Sequence, residues 1–439
     1  MNYKKVVLKN NLTLVFVPNK KIKLIYINIG VKIGSDVEHL KTLEISHFIE
    51  HLFTLLTSNK YSNGLENRNM LSKFNINLDA EVITKNTNFQ YVLKKKYLNK
   101  LLDMIANSLF DFTIDEELFK NEKNSVIEEL NAIINDNDYA FETFIDKSLY
   151  KKHTRHYSQE QRLKNVKIVT PKDILDFFNK FYLPENMVIS IFGDVNQTKT
   201  IKIFDDVYNF FVKKNSLAGR SLKLYKEEIK YKHKLDKHIF HLKEKKQTCN
   251  IKIIFNIPYT FFDDEYYIIF AILNILTFDL SSILLDRLRN KEGLIYDLQG
   301  QMDLDENTKE LSFVYFETNA ESSKVTRVIE IILEELKNLR DGKIMQSIID
   351  RYKESLKIKF IRDNLTFKPM KMIDEYTKYV LWGEKIVKFE DEFKNFGNVN
   401  KSNITRISKQ IFNMKNISIF YNGNNNHDSK IKKLLSKNR

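Results

Sequence analysis

The chain has 439 residues, of which 43% are hydrophobic, 11 are glycine and five are proline; this is enough apolar material for two or more ordinary domains and excludes a collagen-like or low-complexity protein. A single cysteine, Cys249, excludes an internal disulfide framework and a cysteine-based metal cluster. The net charge of +14 comes from lysines spread along the chain rather than gathered into a tail, which reads as compositional bias and not as a nucleic-acid surface. The N-terminus alternates like a strand and shows no signal-peptide core. The longest apolar run, Tyr266 to Leu276, is too short to span a bilayer and carries Asn274. These features predict a soluble, cytoplasmic protein with no membrane or nucleic-acid partner.

Residues 4–33 read as two strands, the first running through VVLKNNLTLVFVPN, with a polar turn between them. The run from Thr42 to Ser58 reads as a helix with two sides at about 100° per residue. Ile45, Phe48, Ile49, Leu52, Phe53 and Leu56 form an apolar stripe, and His47, Glu50, His51 and Thr54 fall opposite. Histidines at i and i+4 lie one turn apart, so both rings can reach one metal ion. Glu50 projects beside such an ion, where it can take a proton from water. The order His-x-x-Glu-His is that of the inverzincins, the reverse of H-E-x-x-H. The plainer alternative is an amphipathic helix with solvated histidines.

A short helix at 65–74, strands at 77–85 and 88–96, and a helix at 97–109 follow. Thr113 and Glu116 form a Thr-x-x-Glu capping box that predicts the start of the next helix. On its wheel Phe119, Val126, Leu130 and Ile133 make the apolar face, Glu122 and Glu129 lie in line at its edge, and Glu128 points away. A carboxylate against an apolar face costs several kcal/mol unless a cation or hydrogen bonds satisfy it, so two in line suggest a shared cation. A helix begun by Thr170-Pro171, a strand at 186–195 and a helix from about 198 to 212 close the first half. The polar stretch 215–236 is a candidate linker between domains at 1–214 and 237–439. The second half repeats the order weakly, with a helix ending at Gly293, strands at 294–305 and 309–318, and a last strand at 416–423. The expected class is therefore α+β, a duplicated unit of sheet and helices.

His47-Phe48-Ile49-Glu50-His51 resembles the H-F-L-E-H of the M16 metallopeptidases, the family of pitrilysin, insulin-degrading enzyme and mitochondrial processing peptidase, here of the short-chain type. Glu122-Lys-Asn-Ser-Val126-Ile-Glu128-Glu129 fits the family's E-x-x-x-V-x-x-E segment, and Arg289 to Tyr296 resembles its Arg-x6-Tyr segment. The resemblance covers nearly the whole chain. It implies two homologous domains, each a mainly antiparallel sheet packed with helices. It also implies Zn2+ held by His47, His51 and Glu129, with Glu50 as the catalytic base and Glu122 supporting the ligands. Arg289 and Tyr296 would contact substrate and the developing oxyanion. There are departures. Glu81 and Val82 stand where the family often has Asn-Ala in a substrate-holding edge strand, with Asp79-Ala80 one short shift away, and the usual glycine before the first histidine is replaced near Glu44.

The function implied is a zinc endopeptidase that cuts short or unfolded peptides in a closed chamber, including processing of a precursor or leader peptide. The partners implied are the peptide and a second subunit, in a homodimer or a heterodimer with another M16 chain. The alternative is a non-catalytic M16-like subunit that binds peptides.

Overall fold

The computed structural model describes residues 2–150, 153–215, 238–365 and 368–438. Six strands build the first sheet: β1 (Lys4–Val7), β2 (Thr13–Pro18), β3 (Leu24–Val31), β4 (Asn77–Val82), β5 (Thr87–Lys94) and β6 (Met187–Gly193), in the order β1-β2-β6-β3-β5-β4. Five build the second: β7 (Ile239–Lys243), β8 (Thr248–Asn256), β9 (Leu298–Asp303), β10 (Phe313–Glu321) and β11 (Ile417–Gly423), in the order β7-β11-β8-β10-β9. Without β1 the two orders are the same. Each has one parallel pair at the same place, β2 with β6 and β7 with β11, and antiparallel pairs elsewhere. The duplicated α+β unit is thus a property of the topology.

The first expected strand is two strands. Asn11 takes a left-handed φ of 68°, a conformation Asn tolerates, and the N–H of Leu8 donates to the carbonyl of Leu12 at 2.9 Å, folding β1 back on β2. The 215–236 segment, apart from residue 215, lies outside the described residues.

One face of the first sheet, including Ile25, Ile27, Ile29, Phe89, Tyr91 and Leu93, is buried under helices Ile45–Phe53, Leu98–Phe110 and Pro171–Phe181. Each such side chain contributes roughly 1.5–3 kcal/mol of transfer free energy. The other face of each sheet is covered by a helix from the opposite half of the sequence. Helix Pro369–Leu381 packs Met372, Ile373 and Tyr376 on Val15, Val188 and Phe192 of the first sheet. Helix Tyr139–Leu149 packs Phe141, Ile145 and Leu149 on Ile254, Phe313 and Phe420 of the second. Each belongs to the compact unit of the sheet it covers. No helix among the described residues is long and apolar enough to cross a membrane.

Helix Pro369–Leu381 also brings a carboxylate onto the first sheet. Asp374 accepts a hydrogen bond from Asn28 Nδ2 at 3.0 Å. Burial, with Glu81 nearby, pushes its carboxyl up to about 6 against the opposing pull of Asn28 and Lys378. The folded state therefore binds this proton more tightly than the unfolded chain. The associated stability is fully present below about pH 4 and is lost as the pH rises through about 6. Asp374→Asn keeps an acceptor for Asn28 and should raise stability at pH 7.5 by roughly 1–3 kcal/mol while changing little at pH 4. Melting curves at the two pH values check this; an equal gain at both would show that the carboxyl proton is not involved.

Candidate metal centre

The His-x-x-Glu-His helix spans Ile45–Phe53 and is shorter than its amphipathic run. Glu44, just before it, is left-handed (φ 72°, ψ 4°), and Leu56, just after it, has φ 49°. Ile45, Phe48, Ile49, Leu52 and Phe53 are buried, as the wheel requires. Phe48 stacks on Phe119 with ring centroids 5.8 Å apart, which docks helix Glu116–Ile134 alongside. The N-cap of that helix is Asp115, whose side chain accepts from the N–H groups of Glu117 and Leu118 at 3.1 Å each. This corrects the expected Thr113 capping box: the carbonyl of Thr113 instead accepts from the Thr57 hydroxyl at 2.5 Å. Leu118, Phe119, Val126 and Leu130 are buried, Glu128 points to solvent, and Glu122 and Glu129 are left at the edge facing the histidines.

The donor atoms converge. His47 Nε2 and His51 Nε2 lie 3.2 Å apart, and Glu129 approaches them at 3.1 and 3.7 Å. Glu50 Oε2 is 3.9 Å from His47 Nε2. Both Nδ1 atoms face carboxylates, His47 toward Glu44 at 3.0 Å and His51 toward Glu122 at 3.1 Å. If each Nδ1 carries the proton it gives to its carboxylate, both Nε2 atoms present bare lone pairs to each other. That is repulsive unless a cation lies between them. Two imidazole nitrogens on one tetrahedral zinc ion stand about 3.3 Å apart at ordinary Zn–N lengths, so this donor set fits Zn2+.

The electrostatics agree in sign. Burial lowers the His47 pKa, but Glu44, Glu50 and Glu129 together outweigh it, and the net shift is upward: this pocket favours a positive charge. Burial pushes the Glu50 carboxyl up, with Glu129 and Asp79 adding to it and the two histidines opposing. Glu122 is held low, first by its bond to His51 and then by Arg68, whose Nη2 donates to Glu122 Oε1 at 2.7 Å. The sequence reading did not find Arg68. It sits on helix Gly64–Lys73, which Asn67 ties to the end of the histidine helix through the carbonyls of Leu55 and Leu56 at 3.0 and 3.2 Å. It also missed Arg162 and Glu38, which flank Glu44; the only sequence signal there was the departure from glycine near Glu44.

Arg289 and Tyr296 form a separate cluster in the second compact unit. Arg289 lies on a turn of π-type helix, Asp286–Lys291, and its guanidinium carbon is 4.6 Å from the centre of the Tyr296 ring. Such widened turns recur at functional sites. Gly293 follows with φ 58°, the left-handed residue expected after the helix. Tyr296 precedes β9 in a loop, not in the expected strand, and is 75% exposed. Glu81 lies on β4, the outermost strand of the first sheet, and accepts from Asn88 Nδ2 at 3.1 Å.

Residues 14–162 match the family model described as Insulinase (Peptidase family M16), and residues 169–356 match the one described as Peptidase M16 inactive domain. The chain is 24% identical over 350 residues to the uncharacterized zinc protease YmxG of Bacillus subtilis (strain 168), covering 80% of this chain and 81% of that one. It is 25% identical over 213 residues to the mitochondrial-processing peptidase subunit beta of Saccharomyces cerevisiae, covering 48% of this chain and 45% of the relative. A crystal structure of a protease from Helicobacter pylori superposes with a TM-score of 0.79 at 20% identity, over 96% of this chain and 99% of that one. At that identity the likeness speaks for the fold alone.

Proposed function

The chain belongs to peptidase family M16, and from that premise we propose that it is a zinc-dependent endopeptidase cutting short or unfolded peptides inside a closed chamber. One observation carries the reading: two imidazole Nε2 atoms and the Glu129 carboxylate converge within 3.1 to 3.7 Å of one another, with Glu50 beside them. His47, His51 and Glu129 would hold the ion. When bound, zinc would supply a Lewis acid that acidifies water and polarises the scissile carbonyl. Glu50 would accept the proton of the attacking water and pass it to the leaving amine. Glu122, anchored by Arg68, would keep the His51 ring oriented.

Substrate would reach the site as an added strand. β4 is an edge strand, so a peptide can pair with its free backbone groups, and Glu81 would meet the side chains of that peptide. Arg289 and Tyr296 supply the other requirements. The guanidinium can hold a substrate carbonyl or carboxylate, and the exposed phenol can donate to the oxyanion. In a homodimer each subunit would offer this pair to the zinc of its partner, giving two composite sites; a second M16 chain in a heterodimer would serve equally.

The second reading is a non-catalytic peptide-binding subunit, and the match described as an inactive domain favours it. That match covers 169–356, whereas His47, Glu50, His51 and Glu129 all fall in the other one. A scaffold has no need of all four, so the peptidase reading is preferred.

Glu50→Gln should retain about one zinc per chain and lose turnover of an unstructured peptide library by about 10²–10⁴-fold. Glu129→Gln should lose zinc affinity itself. Metal analysis alongside peptide cleavage checks both; full activity in the Glu50 variant would remove that residue as the base. Sedimentation equilibrium should report a dimer under assay conditions, and a fully active monomer would refute the composite site.

A further inference from the structure

The turn before the histidine helix is built in a way the ligand set does not require. Glu44 has φ 72°, a region where glycine is at ease and a side chain is strained. The conformation is imposed from outside. The N–H groups of Glu44 and Ser46 both donate to the buried carboxylate of Glu38, at 3.0 and 2.8 Å, forming a small anion-binding concavity in the backbone. Asn165 fixes the preceding residue by donating to the Leu43 carbonyl at 2.6 Å. A glycine at position 44 would make the same turn without strain, so the gain from glutamate lies in its side chain.

That side chain divides its two oxygens. Oε2 faces His47 Nδ1 at 3.0 Å, and Oε1 accepts from Arg162 Nη1 at 2.5 Å. Arg162 is itself buried and donates its other nitrogen to the Thr154 carbonyl at 2.8 Å. His51 has a matching arrangement, with Glu122 at its Nδ1 and Arg68 on the far oxygen of Glu122. Each imidazole is thus backed by a carboxylate that an arginine holds in place.

We infer that Glu44, held by Arg162 and Glu38, is a positioning residue for the metal: it fixes His47 in the tautomer whose Nε2 lone pair points at the ion and adds negative charge behind that ligand. This rests on the reading of the cluster as a zinc site. A carboxylate behind a ligating histidine typically accounts for about 10–100-fold in metal affinity. Strain at a non-glycine left-handed residue is the kind of local cost that persists where function requires the side chain.

The test is Glu44→Gly, which relieves the backbone while removing the carboxylate. Zinc affinity is measured by chelator competition, the melting temperature of the metal-free protein serves as the folding control, and ¹⁵N-histidine spectra of the zinc-loaded protein report the protons on each ring. The expected result is a folded variant with zinc affinity about 10–100-fold weaker, in which the Nδ1 proton of His47 exchanges with solvent while that of His51 stays protected. Glu44→Gln keeps an acceptor but no charge. It should hold the His47 proton and recover part of the affinity, and it stands in should the glycine variant not fold. A folded variant with wild-type affinity and an unchanged His47 signal overturns the inference while leaving the metal site standing. Wild-type protein that binds no zinc overturns the metal-site reading and this inference with it.

Discussion

His47 Nε2 and His51 Nε2, held 3.2 Å apart, are the constraint around which the polar cluster of the first compact unit is arranged. With both Nε2 atoms unprotonated, His47 and His51 would turn their rings away from a 3.2 Å approach if they were free to do so. They are not free, because each Nδ1 is engaged by a carboxylate and the apolar side of the helix is locked into the core. With the proton of each ring on Nδ1, the two Nε2 lone pairs face each other in a geometry that a shared cation would relieve. A metal ion entering such a site would find its candidate ligands already oriented, which is pre-organisation.

The negative charge at this site is large, with Glu44, Glu50, Glu122 and Glu129 all near two imidazoles. Arg68 and Arg162 balance part of it from behind. Beneath them Glu38 is buried, and burial together with Glu44 raises its pKa to about 7, although two backbone N–H groups and Arg162 pull the other way. The arginines touch the supporting carboxylates and none of the donor atoms of the cluster, so positive charge is supplied where it holds geometry and not where it would compete with a metal.

The two sheets share one topology, but their halves have diverged in use. The histidine helix follows β3, and the helix at the same place after β8 is Glu265–Thr277. The first keeps one polar side, carrying His47, Glu50 and His51. The second buries Ile268, Ile269, Ile272, Leu273, Ile275 and Leu276 around most of its circumference, so it serves as core. The second half carries its distinctive residues farther along, on the π-type turn that presents Arg289 and in the loop that exposes Tyr296. Duplication supplied the scaffold twice, and each copy kept a different polar cluster.

The sequence by itself determined what depends on neighbours within a turn or a strand. The i, i+4 histidines, the intervening glutamate, the in-line Glu122 and Glu129 and the apolar stripe are all consequences of helical periodicity, and the alternating strands follow from a period of two. The resemblance to the M16 family was legible for the same reason, because its motifs are local. Tertiary structure alone decided the rest. Arg162 is 118 residues from the Glu44 it holds, Arg68 is 54 from Glu122, and Asp374 is 346 from Asn28. No periodicity links such pairs. Likewise the exchange of helices Tyr139–Leu149 and Pro369–Leu381 between the sheets follows from each sheet having a second apolar face to bury, a demand that any amphipathic helix could meet. Which helix meets it is settled by the packing of the whole chain, whereas the left-handed turn at Glu44 is set by the Glu38 carboxylate six residues before it, against what the local residue prefers.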